Sequence, residues 1–300
     1  MTGTVASGRF QHFLAIDWSG AAGERHKGIA LALADTAGGP PRLITHHRPW
    51  SRTAVLDLLR HDLPPDTLVG MDLSISLPFA DSGAFFPGWD QSPADARALW
   101  ATIDRLCADE PHLGAGDFVA HPQASRYFRR HGGLEGSNFH LPDAAHRRGR
   151  FRVTEVAQAQ RLGCKPYSNF NLVGAAQVGK SSLTGMRLLH QLAGTLPVWP
   201  VDPLPASGSV LVEIYTTIAA MAGGRSAARS KMRTLEELNA ALTAIGSPPM
   251  PGTGQIDDHS ADALASAAWL RAAAIQADLW QPEGLDPHVA QTEGWTFGIP

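Results

Sequence analysis

Cysteine is almost absent from this 300-residue chain: Cys107 and Cys164 stand alone, far apart in sequence. Two isolated thiols exclude a disulfide framework and a zinc ribbon, and they suit a reducing cytoplasm. No charge of one sign dominates. The 25 Lys and Arg against 28 Asp and Glu leave −3 with neutral His, so a uniformly basic nucleic-acid coat is excluded, although a local basic patch is not. Long apolar runs are also missing, since Arg271 interrupts even the Ala-rich stretch 261–275. Met1 to His12 carries no apolar signal-peptide region, so secretion and membrane insertion are not expected. Lysine is scarce, 4 against 21 arginines, which reads as genome composition. Neither a fixed-period repeat nor a long low-complexity tract occurs. What the chain does have is 44% hydrophobic and 18% charged content, enough for a sizeable core. The expectation is a cytoplasmic, globular, single-domain protein.

The first third reads as an α/β unit. His12–Asp17 is a short apolar run ended by Trp18-Ser19-Gly20, a strand entering a turn. Gly28–Leu33 and Arg42–His46 are the next extended candidates, and their short connections suit an antiparallel meander. A helix begins near Ser51 and stops at Pro64-Pro65, and Thr67–Asp72 is another buried strand. Residues 78–207 are rich in Gly, Pro, His and Arg and read as a long insertion, with helical pieces near 93–108, 154–162 and 181–193. The strand signal resumes at Val210–Tyr215. Helices follow near 234–245 and 258–276, and the tail from Trp280 reads as irregular cover.

Four of these elements carry carboxylates at positions where α/β proteins build sites. Asp17 and Asp72 end apolar strands, and Glu213 lies late in a third. In the late helix, Asp258 and Asp262 are four apart and His259 and Asp262 three apart, so each pair shares a helix face. Clustered carboxylates repel one another unless some protonate. Mg²⁺ or Mn²⁺, which take oxygen ligands, would relieve that repulsion, and two such ions can activate water for phosphodiester cleavage. Each position also has a plainer role: Asp17 and Asp72 as turn caps, Glu213 as partner of an Arg from 78–207, and the acids at 257–258 as an ordinary helix N-terminus.

The order β-β-β-α-β, a long insertion, then β and a final acidic helix resembles the ribonuclease H-like fold. The runs Ala15-Ile16-Asp17-Trp18-Ser19-Gly20, Val69–Pro78, Leu211-Val212-Glu213-Ile214-Tyr215 and Asp258–Ala265 are similar to the "predicted RNase H-like nuclease" family, domain-of-unknown-function family 429. The last run also resembles the C-terminal helix of RuvC-type junction resolvases, from which the chain departs by having Asp72 where they place a Glu. The resemblance implies Asp17, Asp72, His259 and Asp262 as metal ligands, with Glu213 and Asp258 as further members. It also implies an α/β ribonuclease H-like mixed sheet with core about 10–77 and 208–276. Resolvase-like enzymes would further imply a homodimer.

Two other features compete for a role. Gly174-Ala175-Ala176-Gln177-Val178-Gly179-Lys180-Ser181 satisfies the phosphate-loop pattern, in which backbone amides cradle phosphates, Lys180 neutralises charge and Ser181 holds Mg²⁺. The preceding run is short and polar, however, and no Asp ends a later strand. Asp17-Trp18-Ser19-Gly20 faintly resembles the first phosphate loop of actin-like ATPases and sugar kinases. Residues 121–152 carry Arg126, Arg129, Arg130, Arg147, Arg148, Arg150 and Arg152 against Glu135 and Asp143, a surplus of five positive charges interleaved with aromatics. That composition grips phosphates and stacks bases, or forms a solvated loop paired with acids elsewhere. Arg225, Arg229, Lys231 and Arg233 make a second basic cluster.

The expected function is a metal-dependent phosphodiesterase or nuclease. Asp17, Asp72, Asp262 and Glu213 would be catalytic, with metal ligands among Asp17, Asp72, Asp258, His259 and Asp262, and the 126–152 arginines would hold substrate phosphates. A nucleotide-hydrolysing protein and a non-catalytic nucleic-acid-binding protein remain open beside it.

Overall fold

A computed structural model describes residues 8–140, 149–174 and 178–300. The fold is α/β, organised on one six-stranded mixed sheet of order β3-β2-β1-β4-β6-β5. The strands are β1 (His12–Asp17), β2 (Ala30–Asp35), β3 (Arg42–Leu43), β4 (Thr67–Asp72), β5 (Val198–Trp199) and β6 (Val210–Ile214). β1, β2 and β3 form the expected antiparallel meander, whereas β1–β4, β4–β6 and β5–β6 pair in parallel.

β2 starts two residues later than the sequence pattern predicts. Backbone bonds from His26 to Trp50 O and from Ile29 to His26 O hold 26–29 in a turn. β3 is shorter than expected, keeping only the Ile44 amide on Leu31 O beyond its two residues.

Both faces of the sheet are covered, so the strands read as continuous apolar runs. Side chains alternate between faces along each strand. Leu14 and Ile16, Leu31 and Leu33, Val69 and Met71, and Leu211 point to one layer. That layer contains α1 (Arg52–Asp57, continued by a π-helical turn Leu58–Asp62), α2 (Ala96–Leu106), α3 (Gly116–Ala120) and much of α5 (Val178–Gln191). α4 (Val153–Leu162) lies between these two segments in the chain and places Ala157 in the opposite layer. Phe13 and Ala15, Ala30 and Ala32, Leu68, and Val212 and Ile214 face that second layer. It is built by α6 (Thr216–Ala222), α7 (Leu235–Ile245), α8 (Asp258–Ala273) and the segment after α9 (Pro287–Thr292).

Residues 78–207 are therefore less of an insertion than their composition suggests. Leu99, Trp100 and Ile103 of α2 and Leu183, Met186 and Leu189 of α5 share one core with β1 and β4. β5 from the same segment forms the sheet edge. The tail is also part of the core: Trp295, Phe297 and Ile299 are fully buried.

α8 is apolar nearly all round, as expected of a buried helix, and its alanines let it lie close to β1 and β2. Asp257 caps it, accepting the Ser260 amide at 2.9 Å. The helix also comes close at Gly70 of β4, where a Cβ would lie 2.7 Å from Leu270 Cδ1 and 2.9 Å from Ile214 Cγ2. Among the described residues no helix is long and apolar enough to cross a membrane. Cys107 and Cys164 are both buried free thiols.

Gly70→Ala should destabilise the protein by about 1–3 kcal/mol through overpacking. The double variant with Leu270→Ala should lose less than the sum of the two single losses in urea unfolding, because the truncated leucine vacates the contested space.

Candidate functional site

In the parallel pairing of β1 with β4, Asp17 stands opposite Asp72, so the two final carboxylates of adjacent strands are side by side on one face. That is the face covered by α8, whose first two turns bring Asp258, His259 and Asp262 over the same strand ends. His259 Nδ1 and Asp17 Oδ2 are 2.7 Å apart, a bond in which the protonated ring nitrogen donates to the carboxylate. Thr216 Oγ1, at the start of α6, donates to Asp72 Oδ2 at 3.0 Å. Lys231 Nζ donates to Asp262 Oδ2 at 2.5 Å, and Arg233 lies 3.5 Å from Asp258.

The electrostatics are those of a crowded anionic site. Burial pushes the Asp72 carboxyl up to about 8, helped by the Asp17 and Asp262 charges and opposed by the Thr216 bond and by Lys231. Asp262 rises to about 6, again chiefly by burial, with Lys231 pulling it back. The His259 imidazole is raised by its bond to Asp17, against the effect of burial. Burial lowers the Lys231 ammonium, but Asp262, Asp17 and Asp72 together outweigh that and raise it.

Lys231 thus acts as a cation among three acids, a role that its place in a basic loop did not announce. Among the described residues no group of three or more His, Cys, Asp or Glu side chains is arranged to hold a metal ion. Each carboxylate is instead engaged within the protein, Asp17 by His259, Asp72 by Thr216 and Asp262 by Lys231. The donor set is nevertheless of the kind that hard divalent cations take, oxygen atoms with mutually repelling charge. Lys231, whose side chain is half exposed, would have to release Asp262 for an ion to enter.

Glu213 does not join this cluster. In the β4–β6 register it faces Met71, while Ile214 faces Asp72, so its side chain lies on the opposite side of the sheet. There it meets Arg152, whose Nη1 and Nη2 donate to its two oxygens at 2.8 and 2.5 Å. The Ile75 amide and Thr296 hydroxyl donate to it as well. The plainer of the two sequence roles is the one the geometry supports.

The basic arm is similarly redistributed. Arg152 is fully buried on Glu155, Glu213 and the Glu293 carbonyl. Burial works against its charge, yet those carboxylates raise its pKa. Arg150 is buried on Asp81 and the carbonyls of Pro78, Ala84 and Phe85. Neither guanidinium is free to hold a substrate phosphate. Arg126 is exposed and bonded to Gln123, and Arg129 is exposed beside Glu135. Arg130 is partly buried, and Arg147 and Arg148 lie outside the described residues.

In the phosphate-loop match, Ala175, Ala176 and Gln177 lie outside the described residues. Gly174, Gly179, Lys180 and Ser181 do not present a phosphate cradle. Among the described residues no strand of the sheet leads directly into them, the Gly179 amide donates to Asn171 O, and the Ser181 hydroxyl donates to Val178 O.

An open cleft of about 710 Å³, solvent included, runs along the ends of β4 and β6. Asp72, Ser74, Ser181, Lys165 and Glu213 line it, so Asp72 is reachable from solvent while Asp17 and Asp262 are almost fully buried. Comparison with protein-family models, curated proteins and solved structures gives no match to this chain.

Two outcomes follow. Because the folded metal-free protein keeps protons on Asp72 and Asp262 that the unfolded chain releases near pH 4, its stability should fall as pH rises toward about 8. Calorimetric melting in a chelator should show Tm declining over that window, and Asp72→Asn should flatten the decline. On the other face, Arg152→Met should cost about 3–5 kcal/mol in urea unfolding by leaving two buried carboxylates unpaired, with part recovered at low pH as they protonate.

Proposed function

We propose that this chain is a divalent-metal-dependent phosphodiesterase acting on nucleic acid, built on a ribonuclease H-like sheet. The observation that carries the reading is the in-register Asp17–Asp72 pair facing Asp262, three carboxylates on one face of which Asp72 is raised to about 8 by burial, with the other two charges adding to it. The meander followed by parallel strands, with an acid-bearing helix laid over their ends, supports the fold.

Asp17, Asp72 and Asp262 would hold Mg²⁺ or Mn²⁺, with Asp258 at the mouth. The ion would supply charge stabilisation at the phosphate and activation of water. The chain's own groups supply the rest. His259, fixed through Nδ1 on Asp17, holds its proton to higher pH than a free imidazole and can deliver it from Nε2 to a leaving oxygen. Lys231, on moving off Asp262, becomes available to a substrate phosphate, and the exposed Arg233 beside it offers a second positive charge. The cleft at Asp72 gives a phosphodiester its access.

The Lys231–Asp262 bond favours one competing reading: a chain that neutralises its acids internally and binds nucleic acid without cutting it. Calorimetric Mn²⁺ titration separates the two. The wild type should show saturable binding, weakened about tenfold or more by Asp72→Asn or Asp262→Asn. Single-stranded, duplex and branched substrates should then be cleaved only with the metal present. A wild type that binds nucleic acid but no Mn²⁺, with or without that nucleic acid, would sink the enzymatic reading.

A further inference from the structure

Among the described residues four arginines are almost completely buried: Arg52, Arg150, Arg152 and Arg187, each at 3% exposure or less. Three of them sit on carboxylates. Arg150 meets Asp81 at 2.5 Å, Arg152 meets Glu155 and Glu213 at 2.6 and 2.5 Å, and Arg187 meets Asp104 at 2.9 Å. Arg52 has no carboxylate partner among the described residues. Its Nε donates to His112 O at 2.9 Å, Nη1 to Ser19 O, Ala21 O and His26 Nε2 at 3.1, 3.0 and 3.0 Å, and Nη2 to Ala21 O at 3.2 Å.

All of these acceptors are neutral. Burial and the adjacent guanidinium drive His26 down to about 4, which keeps the ring uncharged. Arg52 itself is lowered to about 10 by burial and by the neighbouring cation Arg187. A buried charge left without a counter-charge is costly, and interiors normally pair it.

Arg52 lines an open pocket of about 680 Å³, solvent included, on the α5 side of the sheet. Gly20 and Ala21, from the turn after β1, form one wall. Gly20 lies so close to α5 that a Cβ there would sit 2.3 Å from the Lys180 carbonyl carbon and the Ser181 nitrogen. This contact sets Lys180 beside the same cavity, so the lysine that fails to complete a phosphate loop has a second place to act. Glu110 also lines the space, its carboxylate accepting the Asp117 amide. Two cations against one acid leave a surplus of one positive charge in an otherwise small-residue, apolar wall. A phosphodiester has the matching single negative charge at neutral pH, carried between bulkier, less polar groups.

We infer that this cavity binds a phosphodiester anion between the buried Arg52 and Lys180. The assignment requires no metal and does not depend on the carboxylate site. The phosphodiester comes either from a small nucleotide or from a nucleic-acid backbone.

The test uses the full chain in EDTA, which silences any metal site. Calorimetry or fluorescence anisotropy would follow three probes: a dinucleotide with one phosphodiester link and no terminal phosphate, its uncharged methylphosphonate analogue, and a short single-stranded oligonucleotide. Saturable binding of the dinucleotide or the oligonucleotide is expected. Lys180→Glu should weaken it about tenfold or more with no change in Tm, since the residue is exposed. Arg42→Glu, on the exposed edge strand β3 and away from both pockets, should leave it unchanged, and the methylphosphonate should not bind. Arg52→Met should abolish binding if the variant folds; if it does not, Lys180→Glu and the uncharged analogue decide. Equal affinity for dinucleotide and oligonucleotide assigns a small ligand, whereas an oligonucleotide bound about tenfold tighter assigns a nucleic-acid backbone. No binding of any probe at millimolar concentration, or equal weakening by Lys180→Glu and Arg42→Glu, overturns the assignment.

Discussion

The alternation of side chains along parallel strands decides which acids in this protein can act together. β1, β4 and β6 run side by side, and their registers set Asp17 against Asp72 and Asp72 against Ile214. Asp17 and Asp72 therefore share a face with each other and with α8. Glu213, a single residue out of phase, is committed to the opposite layer. A slip of one residue between β4 and β6 would exchange the two arrangements. The apolar residues that alternate with the acids prevent it, because the same slip would move Val210, Val212 and Ile214 out of the layer they fill.

The two faces treat their charges differently. Behind the sheet, the buried Arg152 is enclosed by Glu155, Glu213 and the Glu293 carbonyl, and the Glu293 carboxylate accepts the amides of Phe79, Ala80 and Val153. One guanidinium serves two carboxylates there, and backbone or hydroxyl donors hold the remaining oxygens, which ties α4, β6 and the segment after α9 together. In front, three acids meet one half-exposed lysine and His259, and burial with the acids' mutual charge raises the proton affinity of Asp72 and Asp262. Charge enclosed by donors on every side fixes architecture, and charge held beside an open cleft is available for chemistry.

Much of the sheet was legible from sequence because its strands are short apolar runs with an acid or a turn signal at the end. The start of α8 was legible from the acids at 257–258, whereas the alanine pattern carried its expected end three residues past the observed Ala273. The role of Glu213 was not, since a strand acid gives no sign of its face until the neighbouring register is known. Arg150 and Arg152 looked like members of a basic arm because composition cannot separate a guanidinium on a buried carboxylate from one in water. The phosphate-loop pattern matched in letters, but the Gly179 amide it needs is spent on Asn171 O. β5 escaped notice because a two-residue strand has no periodicity to read. With it went the recognition that 78–207 builds one layer of the core. The basic cluster at 225–233 was visible, whereas the contact of Lys231 with Asp262 depends on a loop path that no local pattern encodes.

The bond between β6 and the segment after α9 bears on how the chain reaches its fold. Phe297 N donates to Glu213 O, Thr296 reaches the Glu213 carboxylate, and Trp295, Phe297 and Ile299 fill the layer under α8. α8 itself rests on β1, some 240 residues earlier in the chain. Contacts of such sequence separation make for slow folding. During synthesis the first meander would leave the ribosome with one apolar face bare and would stay so until the final fifth of the chain had followed. A nascent chain of this kind has a long interval of exposed surface, which makes it dependent on chaperones and vulnerable to aggregation before its own last segment covers it.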